Sequence, residues 1–249
     1  MILVMAGTSD GRIIAKEISL KHDVLTTATT PYGKKLLEDM GAQVLMDKMD
    51  SNYLLNLIEK MKIKAIIDAT HPYAENGTRN AIDASEKAGI IYIRYERPRS
   101  ELITEDQMYD YEGCIEKLKN SSGNILLTVG SNNLDLFLDE SIINRVYPRV
   151  LPTSMVIKKC EKLGFDTGKI IAMRGPFSQE MNSLMMKEFD IKFIITKESS
   201  DVGGFKEKVL AAKENNVEVI VIKRPNINMK NVMYNYEDVY ETLEAKLLK

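Results

Sequence analysis

"IIDATHPYAENGTRNAIDASEKAGIIYIRYERP" (Ile66–Pro98) can be laid against "IITKESSDVGGFKEKVLAAKENNVEVIVIKRP" (Ile194–Pro225). Each stretch reads apolar strand, polar loop, helix with an Ala-rich face, apolar strand, then Arg-Pro, over about thirty residues. A shorter echo follows each Arg-Pro: "MYDYEGCIEKLK" from Met108 and "MYNYEDVYETLEAKL" from Met233. All βαβ units share the general layout, but the Arg-Pro and Met-Tyr-(Asp/Asn)-Tyr-Glu signatures favour two similar halves.

Further apolar, β-rich runs flank the repeat: "MILVMA", "DVLTTAT", "AQVLMD", "NILLTVG" and "KIIAMRG". Helical periodicity fills most of the gaps, as in "GRIIAKEISLK" and "NYLLNLIEKMK". Near-continuous apolar strands alternating with amphipathic helices predict parallel sheets covered on both faces. The expected fold is α/β: two Rossmann-like, doubly wound parallel-sheet halves with a ligand cleft between them. The expected boundaries are 1–98 for a dinucleotide-binding half, 99–123 for a connecting segment and 124–249 for a C-terminal half. An exchange of elements between the halves is left open.

The 249 residues are 44% hydrophobic and 28% charged, an ordinary globular balance. A net charge of −2 argues against a general nucleic-acid binder, which needs a basic surplus. Cys114 and Cys160 have no metal-ligand spacing and read as buried small hydrophobes in a reducing compartment. No secretion signal and no membrane-spanning run is found, so a cytoplasmic protein is expected.

The first strand runs into "AGTSDGR" (Ala6–Arg12) and then a helix, a ready anion site because helix N–H groups and dipole face the ligand. Gly7 allows a sharp turn and close approach, Thr8 and Ser9 add hydroxyls, Gly11 leaves room at the helix start, and Arg12 supplies charge. Asp10 is the expected N-cap. An NAD site places an acid about 20 residues on, at the end of the second strand. That position falls at "TATTPYGKK", where Thr29 and Thr30 are neutral and Lys34 and Lys35 follow. NADPH is therefore expected over NADH; a plain solvated helix start is the alternative.

"IIDATHPYA" sets Asp68, Thr70, His71 and Tyr73 at the carboxyl end of the fourth strand, beside the first loop. His71 can give a proton or hold the cofactor amide, or merely brace its loop. His22 reads as a surface residue. Arg94, Arg97, Arg99, Arg149, Arg174, Lys197 and Arg224 all stand at or near strand ends. So many cations on one edge suggest a ligand with several carboxylates or phosphates. The turns around Ser178 ("RGPFS") and around Ser199, Ser200, Gly203 and Gly204 ("SSDVGG") resemble anion-binding nests. No nucleophile–base spacing, Walker loop or metal cluster is found, which suits chemistry carried by a cofactor.

The set "GTSDGR", "DATHPYA", "RYERP", "LLTVGS", "RVLP", "GPFSQEMN", "TKESSDVGGFKEK" and "VIKRP" resembles the precorrin-6A reductase family of cobalamin biosynthesis. The match runs in order over most of the chain. It departs where the family often has Gly-Gly and this chain has Ala6-Gly7, and where a second Gly commonly follows Ser199 and this chain has Ser200. The resemblance implies an NADPH-dependent reductase that saturates one carbon–carbon double bond of precorrin-6A or its cobalt form. From the residue reading, Gly7, Thr8, Ser9, Asp10, Gly11, Arg12, Thr29, Thr70 and His71 are expected to bind the cofactor, with His71 and Tyr73 as candidates if a proton donor is needed. Arg94, Arg97, Arg149, Arg174, Ser178, Lys197, Ser199, Ser200, Gly203, Gly204 and Arg224 are expected to hold a tetrapyrrole-derived substrate. No metal site, nucleic acid or membrane partner is implied. The rivals are an NADPH oxidoreductase for another polyanion and a nucleotide-sensing protein without chemistry.

Overall fold

The computed structural model describes residues 1–29, 31–47, 49–198 and 203–248. The chain forms two compact units, Met1–Pro98 with Pro225–Lys249, and Arg99–Arg224. The first is built from β1 (Ile2–Met5), α1 (Ser9–Ser19), β2 (Val24–Thr27), α2 (Pro31–Glu38), β3 (Gln43–Leu45), α3 (Ser51–Met61), β4 (Ala65–Asp68), α4 (Glu75–Ala88) and β5 (Ile91–Tyr95). The second holds β6 (Met108–Tyr109), α5 (Tyr111–Lys119), β7 (Asn124–Leu127), β8 (Val146–Val150), α6 (Ser154–Lys162), β9 (Ile171–Ala172), α7 (Gln179–Glu188), β10 (Ile191–Lys197), α8 (Phe205–Glu214) and β11 (Glu218–Ile222). The chain then returns to the first unit with β12 (Val232–Met233) and α9 (Tyr236–Leu247).

Each unit contains one six-stranded sheet, ordered β12-β5-β4-β1-β2-β3 and β6-β11-β10-β7-β8-β9. The pairings between strands are parallel, as in β1 with β2 and β4, and β10 with β7 and β11. Both orders are doubly wound, with the direction of winding reversing between β1 and β4 and between β7 and β10.

Alternation along β1 explains why both faces of the first sheet are covered. Ile2 and Val4 pack with Ile14, Ala15 and Ile18 of α1 and Val239 and Leu243 of α9. Leu3 and Met5 point the other way, onto Leu54 and Ile58 of α3 and Ala81 and Ala84 of α4. In the second unit Leu126, Ile194 and Val221 meet Met186 of α7 and Phe205 and Val209 of α8.

The expected boundaries need correction. Segment 99–123 belongs to the second unit and segment 225–249 to the first, because edge strands decide membership. β6 pairs with β11 through Val221↔Met108, and β12 pairs with β5 through Val232↔Arg94. The Met-Tyr-(Asp/Asn)-Tyr-Glu echoes are thus a reciprocal exchange: each opens on or next to the edge strand of the sheet built by the other half's repeat.

Three strands escape the sequence patterns. β6 and β12 have two residues each, too short for a period. β8 carries Pro148, which pairs with Leu127, while the ladder to β9 begins one residue later, at Arg149. Both cysteines are buried free thiols, and burial pushes Cys114 up to about 12. Among the described residues, no helix is long and apolar enough to cross a membrane.

Candidate active site

In the first unit the loop from β1 to α1 lies beside the end of β4, at the reversal point where ligands bind in open parallel sheets. Thr8, not Asp10, is the N-cap of α1: its backbone is extended (φ −130°, ψ 171°) and its Oγ1 accepts from Gly11 N at 3.1 Å. The same hydroxyl donates to Ala69 O at 2.9 Å, tying this loop to the one after β4. A Cβ on Gly11 would stand 2.6 Å from Ala6 Cα, so only glycine lets α1 start this close to its strand. Gly7 is exposed, and a Cβ there would meet only Thr70 Cα, at 4.0 Å. The amides of Ser9 and Asp10, in the first turn, have no intrahelical acceptor.

Asp10 sits inside the first turn, where its carboxylate accepts from Arg97 Nε and, at 2.8 Å, from the Tyr236 hydroxyl. Arg97, expected to hold substrate, is therefore engaged at the β1–α1 loop. Arg94, also expected on substrate, is sealed at 1% exposure, a second correction. Its Nη1 meets Asp68 Oδ1 at 2.8 Å and Thr70 Oγ1 at 3.0 Å, and its Nη2 meets Glu96 Oε2 at 2.9 Å. Burial alone would push the guanidinium down, but Asp68 and Glu96 outweigh it and hold it above its ordinary value. Asp68 also accepts from Thr70 N (3.0 Å), Thr70 Oγ1 (2.7 Å) and Tyr92 OH (3.0 Å). Arg94 and Asp68 thus shape the loop that presents Thr70 and His71.

His71 and Tyr73 are half-buried, their rings 5.6 Å apart, and His71 Nδ1 accepts from Tyr73 N at 3.3 Å. An accepting Nδ1 puts the neutral ring's proton on Nε2. Thr29 is exposed just past β2, Arg12 is half-buried in α1, and Lys34 pairs with Glu38 at 3.6 Å. Thr30 lies outside the described residues. His22 is no simple surface residue: half-buried, it meets Glu244 of α9 at 2.5 Å.

The remaining cations lie in the second unit. Arg174 and Gly203 are exposed, and exposed Ser178 caps α7 by accepting from Met181 N at 3.3 Å. Gly204, with φ 63°, is the N-cap of α8. Arg224 Nη2 pairs with buried Glu198 at 3.1 Å. Burial pushes the Lys197 amine down. Arg149 is buried as well, which brings its guanidinium down to about 10; it donates to Asn182 Oδ1 at 2.8 Å and lies over the Phe177 ring. Arg99 pairs with Glu105 at 2.9 Å on the surface. Ser199 and Ser200 lie outside the described residues.

The structure therefore brings Gly7, Thr8, Ser9, Asp10, Gly11, Thr70 and His71 together at one reversal point. Of the expected cations, Arg94 and Arg97 belong to the first unit, and Arg149, Arg174, Lys197 and Arg224 to the second. Sequence reasoning missed Tyr236, Glu198, Asn182 and Lys208. Tyr236 lies in the "MYNYE" echo, Asn182 in "GPFSQEMN" and Glu198 in "TKESSDVGGFKEK", and Lys208 is besides a charge on the Phe205, Val209, Ala212 stripe that packs into the core.

The profile of the family described as precorrin-6x reductase CbiJ/CobK matches residues 1–244. The chain belongs to the precorrin-6x reductase family. Among members of this family, the chain is 36% identical to the cobalt-precorrin-6A reductase of Priestia megaterium, over 98% of each sequence. It is also 36% identical to the cobalt-precorrin-6A reductase of Methanothermobacter thermautotrophicus, over 96% of this chain and 82% of that one. A solved structure titled CobK precorrin-6A reductase superposes with a TM-score of 0.79, covering 98% of this chain and 96% of that one. At 18% identity, that likeness shows that this precorrin-6x reductase family member shares its fold.

Proposed function

We propose that this chain reduces a carbon–carbon double bond of cobalt-precorrin-6A, or of metal-free precorrin-6A, in cobalamin biosynthesis, with NADPH as reductant. Family membership and the names of the 36%-identical relatives support the substrate class and the cobalt form. The observation that carries the coenzyme reading is Gly11 pressed onto Ala6 beneath a Thr8-capped helix at the β1/β4 reversal point. That arrangement offers first-turn amides and the positive end of α1 to a diphosphate, with no side chain at Gly7 in the way. Exposed, neutral Thr29, with Lys34 and Lys35 following in the sequence, suits a 2′-phosphate better than a ribose hydroxyl, which would call for an acid.

When bound, the reduced nicotinamide supplies a hydride to one carbon of the double bond, and a proton completes the reduction at its neighbour. The protein's part is positioning and electrostatics. Thr8 locks the β1 loop to Ala69, and the Arg94–Asp68–Thr70 network fixes the β4 loop, so both walls of the nucleotide site are rigid. His71, its proton held on Nε2, is the proton donor, with Tyr73 bracing the ring. Arg174, Lys197, Arg224 and the turns at Ser178, Gly203 and Gly204 meet the acetate and propionate carboxylates at the macrocycle rim.

The test is a titration with NADPH and NADH, followed by cobalt-precorrin-6A while nicotinamide absorbance is monitored. NADPH-preferring binding and loss of absorbance only on adding the corrinoid are expected. Binding without oxidation would instead indicate a nucleotide sensor. Unchanged single-turnover hydride transfer in His71→Ala would remove His71 from the proton-transfer role.

A further inference from the structure

Two cations lie buried together in the second unit, and neither forms an ion pair among the described residues. Lys208 is 7% exposed and Arg149 9%, and among the described residues neither lies within ion-pair distance of a carboxylate. They are close enough for Arg149's charge to depress the Lys208 amine. Buried charge of one sign is costly unless something of the opposite sign completes it.

Both cations stand beneath two helix N-termini. Arg149 lies 4.5 Å from the centre of the Phe177 ring and donates to Asn182 Oδ1. The Asn182 amide in turn donates to Phe177 O at 3.3 Å and Ser178 O at 2.8 Å, fixing the turn that opens α7. Lys208 is in the first turn of α8: its N donates to Gly204 O, and helical side chains slope back toward the N-terminus. The two openings touch, since a Cβ on Gly204 would lie 3.4 Å from Pro176 Cβ and 3.6 Å from Phe177 O. Among the described residues, Glu207 also faces this place, its Oε2 3.7 Å from where a Cβ on Gly204 would stand. Its Oε2 is buried without a hydrogen-bond partner, and its charge only partly offsets burial and Arg149 at Lys208.

We infer that the adjoining N-termini of α7 and α8, floored by Lys208 and Arg149, form an oxyanion site that takes one carboxylate or phosphate group. Amides and helix dipoles supply the direction, and the buried cations supply the charge. Assigning that group to a rim carboxylate of the macrocycle or to a coenzyme phosphate rests on the function proposed above.

Calorimetric titration of the full chain with inorganic phosphate, tricarballylate and NADPH, in wild type, Lys208→Met and Lys206→Met, tests the site. Methionine keeps the apolar stem and drops the charge, and exposed Lys206 controls for general surface charge. The expected result is at least about tenfold weaker binding in Lys208→Met and none of that loss in Lys206→Met. Loss for tricarballylate alone assigns a substrate carboxylate, and loss for NADPH assigns a coenzyme phosphate. Equal affinities in wild type and Lys208→Met, equal losses in both variants, or no binding of any probe by wild type overturn the inference. Phosphate binding that depends on Lys208 in a protein that ignores NADPH would retain the site and overturn the coenzyme reading alone.

Discussion

The hydroxyl of Tyr236, on the first residue of α9, donates to Asp10 Oδ1 in the first turn of α1 at 2.8 Å. The segment that returns from the second unit thereby grips the helix that starts at the β1–α1 loop. Burial, then the bond to Asp10 and its negative charge, raise the Tyr236 phenol above its ordinary value, so it stays a donor throughout the neutral range. Tyr236→Phe leaves Asp10 with Arg97 alone. The expected cost is about 1–2 kcal/mol, read as a drop of a few degrees in Tm, with weaker NADPH binding. Unchanged Tm and unchanged binding would show that the bond holds nothing.

Gly7 and Gly11 make a paired prediction, because the same substitution meets different neighbours. Alanine at position 11 drives a Cβ into the Ala6 backbone, at 2.6 Å from Cα and 3.1 Å from C, so α1 must shift off β1. A loss of about 1–3 kcal/mol in stability is expected, along with loss of coenzyme binding. Alanine at position 7 finds room, so thermal unfolding should stay near wild type while NADPH affinity falls. A Gly7→Ala protein that binds NADPH normally would move the diphosphate away from this loop.

These contrasts mark where the sequence was legible. Near-continuous apolar runs and the Ile66/Ile194 repeat carried the α/β class and the two sheets, because buried strands leave no doubt about polarity. The boundaries were harder, since β6 and β12 have two residues each and only the echo after each Arg-Pro marked them. Thr8 and Asp10 are both good caps, and composition cannot say which adopts the extended backbone. Arg94 is buried against Asp68 and not free for a ligand, and "IYIRY" alone gives no hint of that partner. That partner is Asp68, opposite it in the β4–β5 register. A pairing across strands is invisible until the strand order is known.

Arg94 illustrates what its burial costs to break. Arg94→Met removes the guanidinium that pairs with both Asp68 and Glu96, two buried carboxylates. Breaking a buried pair of this kind costs about 3–5 kcal/mol. Because Thr70 loses its bonds to Arg94 Nη1 and Nη2 as well, the His71 loop should exchange amide hydrogens faster. Hydrogen exchange at residues 69–74 together with urea unfolding checks both effects. A variant as stable as wild type would mean that the two carboxylates find other partners.

Lys208 predicts the opposite sign. Burial first, and Arg149 second, push its amine down to about 7. In the unfolded chain it binds a proton below about pH 10.4. Between those limits the unfolded state holds a proton that the native state does not, so this residue lowers stability as pH falls from about 10 to about 7, and by a constant amount below that. Lys208→Met removes the titration, so it should be more stable than wild type at pH 7 by a few kcal/mol, at about 1.4 kcal/mol per pKa unit. The advantage should shrink as pH approaches about 10. Urea midpoints across that range measure it; a gap that does not change with pH, or a variant weaker at every pH, would refute a buried, depressed amine. A variant that gains stability while losing anion binding would show a charge kept in the fold for ligand binding at the expense of stability.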